Sequence, residues 1–76
     1  MKGRDTMHRL FWPVITYRDN DGSARKFSTA NACHNLSEAR AVIRSWTQTF
    51  HILTAKVDVY DASTFPLRKI RTYNFF

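Results

Sequence analysis

The sequence predicts one small α+β domain in the order β-β-α-β-β, with a mostly antiparallel sheet and one amphipathic helix packed on one face. Three observations predict it: a turn cluster between two strand-like segments, an apolar stripe at helical spacing, and an alternating segment after that stripe. Seventy-six residues suit a single domain. We expect residues 8–76 to form it and residues 1–7 to be loosely ordered.

Residues 9–18 are predicted to form the first strand, because aromatic and β-branched residues dominate the segment. Pro13 inside it has no N–H to donate, so the strand is expected to lie at a sheet edge there or to carry a bulge. The turn cluster 19–23 follows, and its Gly22 suits the positive φ of a tight hairpin. Residues 24–29 are predicted to be the second strand.

The clearest predicted element is a helix that follows the connector 30–35. Apolar residues recur there at steps of three and four and form one stripe. The members of the stripe are Leu36, Ala39, Val42, Ile43, Trp46 and Phe50. Ser37 is predicted to be the N-cap, Glu38 suits the first turn, and the helix is expected to end within 47–51. We expect Trp46 to be buried against the sheet; the residues expected around it are Phe27, Ile43, Leu53 and Val57.

The second hairpin is predicted from alternation. In residues 52–61 apolar side chains alternate with polar ones, which indicates a strand with one buried and one open face. The apolar set is Leu53, Ala55, Val57 and Val59, and the other set is Thr54, Lys56, Asp58 and Tyr60. A turn at 62–66 leads to a fourth strand, 67–73, where alternation places Lys69, Arg71 and Tyr73 on one face.

No catalytic site is visible, so we expect a protein without enzymatic activity. Cys33-His34 is the only place where a nucleophilic residue type adjoins a histidine, and neighbours in a chain point in different directions. The carboxylates fit turns, a helix start and solvated strand positions rather than an acid–base pair. They are Asp19, Asp21, Glu38, Asp58 and Asp61.

We expect no metal and no small-molecule cofactor. The candidate ligands His8, His34, His51 and Cys33 lack the spacings of metal sites, and two glycines cannot form a glycine-rich nucleotide loop. A single cysteine excludes a disulfide within the chain and fits a reducing compartment such as the cytoplasm. The polar N-terminus is unlike a signal peptide, and no apolar run approaches the length of about 20 residues that spans a membrane.

The charge balance favours a polyanionic partner. Twelve Lys and Arg against six Asp and Glu give a net charge of +6, which fits DNA, RNA or an acidic protein surface. Basic and aromatic residues meet on the last two predicted strands, in Lys56, Tyr60, Lys69, Arg71 and Tyr73. On an uncovered sheet face such residues hold single-stranded nucleic acid, with cations on phosphates and rings on bases. Ordinary solvated strand residues would give the same pattern.

The leading hypothesis is therefore a small basic module that binds nucleic acid, of the size typical of phage or mobile-element accessory proteins. The five residues above are its predicted contact residues. Arg40 and Arg44, four residues apart on the outer side of the helix, form an alternative binding face.

One segment resembles a known family. Residues 21–29, read Asp-Gly-Ser-Ala-Arg-Lys-Phe-Ser-Thr, and the later Glu38-Ala39 are similar to the hairpin-then-helix of the arm-binding domains of phage and transposon integrases. The resemblance covers about residues 12–46 and implies a sheet that enters a DNA groove. The chain departs from the pattern in the six residues 30–35 and in two further strands. No functional residue is carried over.

The alternative hypothesis is a protein-interaction module, either a homodimer or an inhibitor of a larger complex that handles nucleic acid. It depends on the first strand, which is apolar on both faces, whereas a wet face would show polar alternation. Leu10, Trp12 and Val14 share one face, and Phe11, Pro13 and Ile15 share the other. Phe11 or Trp12 is predicted to be shielded in the interface.

Overall fold

In a computed structural model, residues 9–63 and 65–75 are described, and they form a four-stranded antiparallel sheet with one helix. The elements are β1 (Arg9–Arg18), β2 (Ala24–Ser28), α1 (Leu36–Trp46), β3 (His51–Asp61) and β4 (Arg68–Asn74). The spatial order is β2-β1-β3-β4. The predicted α+β class and chain order are confirmed, and the expectation for residues 1–7 lies outside the described residues.

Pro13 lies in a central strand at a point where β1 lacks a partner on one side. The Phe11 N–H donates to the Cys33 carbonyl at 3.0 Å, and the Cys33 N–H donates back at 2.8 Å. Odd-numbered residues of β1 therefore direct their backbone groups toward the β2 side. Pairing with β2 begins at Val14 and Ser28, so Pro13 falls in the gap between β2 and the Cys33 bridge. Its missing N–H costs no hydrogen bond there, and its carbonyl accepts from the Ser28 hydroxyl at 2.8 Å.

The turn between β1 and β2 confirms the prediction for Gly22, whose φ is 87°. The Gly22 N–H donates to the Asp19 carbonyl at 2.9 Å. The Asp21 carboxylate accepts from the Ser23 N–H at 2.8 Å. Arg25 closes the turn from β2 through an ion pair with Asp19 at 2.7 Å. These contacts fix the hairpin with the turn chemistry its residues supply.

Asn35, and not Ser37, is the N-cap of α1. The Asn35 side chain accepts from the Glu38 N–H at 2.8 Å, and the Glu38 carboxylate accepts from the His34 N–H at 2.7 Å. The prediction for Ser37 was wrong because Glu38 is the acidic residue whose side chain reaches back over the start of the helix. In such a capping arrangement the N-cap lies three residues before the acidic residue. Counting back three residues from Glu38 gives Asn35.

The core lies between α1 and one face of the sheet, which we call the helix side. Its buried members are Ile15, Cys33, Ala39, Ile43, Ala55, Val57 and Val59. The predicted helical stripe is confirmed in its buried residues Ala39 and Ile43, with the other members packed around them. α1 spans β1 and β3, the two central strands.

Trp46 is less buried than the sequence suggested. It lies at the end of α1 and packs edge-on against Phe27 of the edge strand β2, with ring centroids 5.1 Å apart. Leu53 is outside the core cluster because the ladder shifts between Thr16 and Tyr17. Tyr17 pairs with Ile52 after this shift, so Ile52 takes the place on the helix side that alternation assigned to Leu53.

The core assignment predicts unequal costs for two isoleucines. Ile15 has 0% of its surface exposed, and Ile70 on β4 has 39%. Ile15→Ala should lower the free energy of unfolding by about 2–5 kcal/mol, because it removes buried methyl groups and leaves a cavity. Ile70→Ala should cost less than about 1 kcal/mol. Urea unfolding of both variants measures this, and equal losses would contradict the assignment.

The helix cap predicts a second contrast. Asn35→Ala should cost about 1 kcal/mol, since the first turn loses the acceptor for the Glu38 N–H. Ser37→Ala should be close to neutral, because Ser37 is an exposed residue inside the first turn. Thermal unfolding of the two variants compares the positions directly. A larger loss for Ser37→Ala would show that the cap is at Ser37.

Candidate nucleic-acid interface

The face of the sheet opposite α1, which we call the open face, carries the even-numbered residues of β1 and their cross-strand partners. Trp12 pairs with Asp58, Val14 with Lys56 and Thr16 with Thr54. Its other members come from the edge strands and from the end of β3. They are Lys26 and Ser28 of β2, Tyr60 of β3, and Lys69, Thr72 and Asn74 of β4.

All three lysines among the described residues lie on the open face. Lys26 is on β2, Lys56 on β3 and Lys69 on β4. Lys26 pairs with Thr16, and Thr16 pairs with Thr54 of β3. Lys69 pairs with Tyr60, which lies farther along β3. At about 4.8 Å between strands and 3.3 Å between residues, the lysines follow a diagonal of roughly 25 Å. The backbone positions of the three lysines thus lie on one diagonal across the open face.

Asp58 is the single carboxylate that the described chain places on the open face, and it is only 7% exposed. The Thr72 hydroxyl donates to it at 2.9 Å. The ammonium groups of Lys69 and Lys56 lie 3.7 Å and 4.0 Å from its oxygens. Asp58 therefore orients two of the lysines and offsets part of their charge, while the surface around it stays cationic.

Two aromatic rings stand beside this carboxylate. Trp12 and Tyr60 meet edge-to-face, with centroids 5.8 Å apart at 89°. The Trp12 indole N–H donates to the Thr29 carbonyl at 3.0 Å, which fixes the ring against the strand end. Both side chains are half-buried, so each ring keeps an accessible part in a fixed orientation. Such rings offer stacking surface to bases.

A shallow depression of about 260 Å³ separates Lys26 from Lys56. Its polar lining also includes the side chains of Thr16, Thr54 and Asn74. Ammonium, hydroxyl and amide groups around one concave surface are hydrogen-bond donors to a phosphate oxygen. The depression therefore gathers several hydrogen-bond donors at one concave point of the open face.

The five predicted contact residues do not share one face. Lys56, Tyr60 and Lys69 lie on the open face, but Arg71 pairs with Val59 and Tyr73 with Val57, which places both on the helix side. The prediction of a common face was wrong because the β3–β4 ladder shifts between Val59 and Tyr60. One extra residue in β4, Ile70, reverses the alternation beyond it.

On the helix side, Arg71 and Tyr73 join the predicted alternative face of Arg40 and Arg44. The Arg71 guanidinium lies 5.6 Å from the Tyr73 ring centre and donates to its hydroxyl at 3.0 Å. The Arg40 guanidinium lies 5.6 Å from the ring centre of Phe75. We call Arg40, Arg44, Arg71, Tyr73 and Phe75 the arginine stripe.

Sequence reasoning missed Phe75 as a member of this surface. The Phe75 N–H donates to the Ala55 carbonyl at 2.9 Å, which continues the ladder one step past β4. The alternation of Arg71, Tyr73 and Phe75 was the signal that could have identified it.

The two residues predicted for a protein interface also separate. Phe11 lies on the helix side and packs against the core, so its ring is already used within the domain. Trp12 lies on the open face. Among the described residues a different side chain is the most exposed large apolar group: Phe65, between β3 and β4, with 98% of its surface accessible. Its neighbour Pro66 follows a cis peptide bond.

Cys33 and His34 have different environments. Cys33 is buried, and burial raises the pKa of its thiol, with the Glu38 carboxylate adding to the effect. The His34 side chain is exposed, with its ring 3.7 Å from Glu38. Across residues 9–63 and 65–75, no three His, Cys, Asp or Glu side chains come together as a metal site would need. His8 lies outside these ranges.

No helix within the described ranges is long and apolar enough to cross a membrane. A scan against protein-family models and searches of curated proteins and of solved structures found no match. The resemblance to integrase arm-binding domains therefore stays a prediction.

The end of β3 gives a prediction on titration. Asp61 accepts from the Ser63 hydroxyl at 2.6 Å and from the Ser63 N–H at 2.9 Å. These bonds, helped by Arg68 and Arg9, lower its pKa below the ordinary value of 3.8. A lowered pKa means that the charged carboxylate stabilises the fold above pH 3.8, and that this contribution is lost as the pH falls through the folded-state pKa.

Ser63→Ala should raise the pKa of Asp61 toward its ordinary value, because the variant lacks the hydroxyl donor. Asp21 is an internal control, since its pKa is lowered mainly by hydrogen bonds from Ser23. Carboxyl chemical shifts followed by NMR during an acid titration measure both groups in one sample. An Asp61 titration that is unchanged in the variant would contradict the assignment of the shift to Ser63.

Proposed function

We propose that this protein is a small, non-enzymatic module that binds nucleic acid through the open face. The observation that carries the proposal is the position of Lys26, Lys56 and Lys69 on one uncovered face. The rings of Trp12 and Tyr60 lie among them. Cations supply the attraction to phosphates, and the rings supply a stacking surface for bases.

The lysines differ in how free they are to bind phosphate. Lys56 and Lys69 share the Asp58 carboxylate, whereas Lys26 has no carboxylate partner among the described residues. Lys26 also borders the depression that offers hydroxyl and amide donors. Lys26 is therefore the residue whose loss should affect binding without disturbing the neighbouring contacts.

The chemistry of the open face favours single strands with little sequence preference. Ammonium groups on flexible stems bind phosphates as point charges and carry no information about the bases. Trp12 and Tyr60 are accessible only to unpaired bases that can turn toward the sheet. Affinity should accordingly depend steeply on salt and weakly on sequence.

A protein-interaction module is the second candidate function, supported by one specific observation. Leu10, Trp12 and Val14 are half-buried apolar residues on the same open face, and Phe65, between β3 and β4, is almost fully accessible. A partner protein or a second copy would cover this apolar strip. Light scattering of the purified protein distinguishes a monomer from a homodimer.

Binding to a mixed-sequence single-stranded oligonucleotide should weaken as salt increases, and Lys26→Gln should make this dependence less steep. Each phosphate contact on a single strand contributes about −0.7 to the slope of log K against log salt concentration, so the variant should flatten the slope by about 0.7. Fluorescence anisotropy at several salt concentrations measures the slope.

Arg25→Gln is the matched control for Lys26→Gln. Arg25 is the neighbouring cation on β2, but it faces the helix side and is paired with Asp19 and Asp21. Its loss should leave the salt slope unchanged. An equal effect of both variants would show that net charge, and not the open face, determines binding. No binding at low salt would reject the nucleic-acid proposal in favour of protein interaction.

A further inference from the structure

The structure assigns a second nucleic-acid surface to the arginine stripe, and from it we infer that one molecule bridges two nucleic-acid segments. The inference rests on the proposed function of the open face and extends it. It depends on the division of the cations between the two faces of one sheet.

The stripe alternates guanidinium groups and rings. Arg71 lies over Tyr73 and Arg40 over Phe75, each 5.6 Å from the ring centre. A guanidinium held against a ring keeps its outward N–H groups in a fixed plane, which suits the bidentate recognition of phosphate. Its outer surface also stacks on a base.

Among residues 9–63 and 65–75, no carboxylate neutralises the three arginines of the stripe. Within the described ranges, Arg40, Arg44 and Arg71 form no ion pair, whereas Arg25 on the same side is held by Asp19 and Asp21. Asp61 is 6% exposed and accepts from Ser63. The Glu38 carboxylate is engaged by the His34 N–H at the start of α1. The charge of the stripe is thus available to an external anion.

Concave surface occurs at both ends of the stripe. A depression of about 210 Å³ is lined by Arg40, Arg44 and Phe75, together with Ile43 and Thr47. A second, of about 240 Å³, is lined at the other end by Arg71 and Tyr73, with side chains from β1, β3 and β4. A bound strand would therefore find an arginine and a ring in each depression.

The two surfaces point in opposite directions and follow different paths. The lysines run diagonally across the open face from β2 to β4, while the stripe follows β4 and then passes onto α1. A single strand that used both would have to turn around the edge of β4. Two segments, one on each face, meet no such constraint. If one protein molecule bridges two nucleic-acid segments, the cations of both faces are neutralised and neither segment has to bend sharply.

The test uses two non-complementary single-stranded DNA oligonucleotides of about 10 nucleotides, a length that one small domain covers. One is biotinylated and immobilised, and the other carries a fluorophore. Wild-type protein should retain the fluorescent oligonucleotide on the support, and should bind two oligonucleotides per monomer by native mass spectrometry.

Two variants separate the faces. The open-face variant combines Lys26→Gln, Lys56→Gln, Asp58→Asn and Lys69→Gln, so that no carboxylate is left without its lysines. The stripe variant combines Arg40→Gln, Arg44→Gln and Arg71→Gln, all at exposed positions. Each variant should still bind one oligonucleotide through its intact face, and should lose retention of the second. Circular dichroism confirms the fold of both.

Three outcomes would overturn the inference. One bound oligonucleotide per wild-type monomer, weakened by both variants, would mean that a single strand wraps around β4. Retention that survives in both variants would mean that a dimer bridges through the two copies of whichever face is intact, and light scattering would show the dimer. Binding that is lost in the open-face variant and unchanged in the stripe variant would leave the open face as the single surface. In these three outcomes the proposed function stands. It fails if wild-type protein binds no oligonucleotide, or if binding is lost in the stripe variant and unchanged in the open-face variant.

Discussion

The antiparallel pairing of β1 with β3 holds the two halves of the molecule together. It runs from Arg9 opposite Asp61 to Arg18 opposite His51 and joins the hairpin before α1 to the hairpin after it. An isolated two-stranded hairpin is marginally stable in water, so neither half has an adequate core without this pairing. The buried residues Ile15 and Val57 lie in these strands, and α1 packs on both of them. The positions of the edge strands, and of the cations they carry, depend on it.

Much of the architecture could be predicted because it follows from residue chemistry at short range. The alternation in β3, the helical stripe around Ile43 and the turn at Gly22 each require a particular local structure. The sequence indicated the kind of position that Pro13 occupies, because a residue without an N–H must lie where the strand has no partner. Its location in a central strand, beside a gap, depends on a long-range bridge to Cys33 that no local pattern announces.

The candidate site was predicted less well, and for a definite reason. Alternation assigns faces by counting residues, and an extra residue reverses the count without any change in composition. The segment of β4 around Ile70 contains no glycine or proline to mark the shift, so Lys69 and Arg71 looked like neighbours on one face. The shift places Arg71 on the helix side while Lys69 stays on the open face. The lysines of the open face are compact, strongly hydrated charges, whereas Arg40 and Arg71 on the helix side are planar groups held against rings.

The bulge at Ile70 gives β4 one residue more than its pairing with β3 requires. The ladder on either side of the bulge fixes two pairs, Tyr73 with Val57 and Lys69 with Tyr60. It does not fix the number of β4 residues between Lys69 and Tyr73. A strand shorter by one at position 70 would join the same partners in regular register. Length variation at this point is therefore absorbed within the strand, whereas an added or lost residue in β1, between the Cys33 bridge and Val14, would displace the core. Sequences that differ in length at position 70 are accordingly compatible with one fold and with the same division of charge.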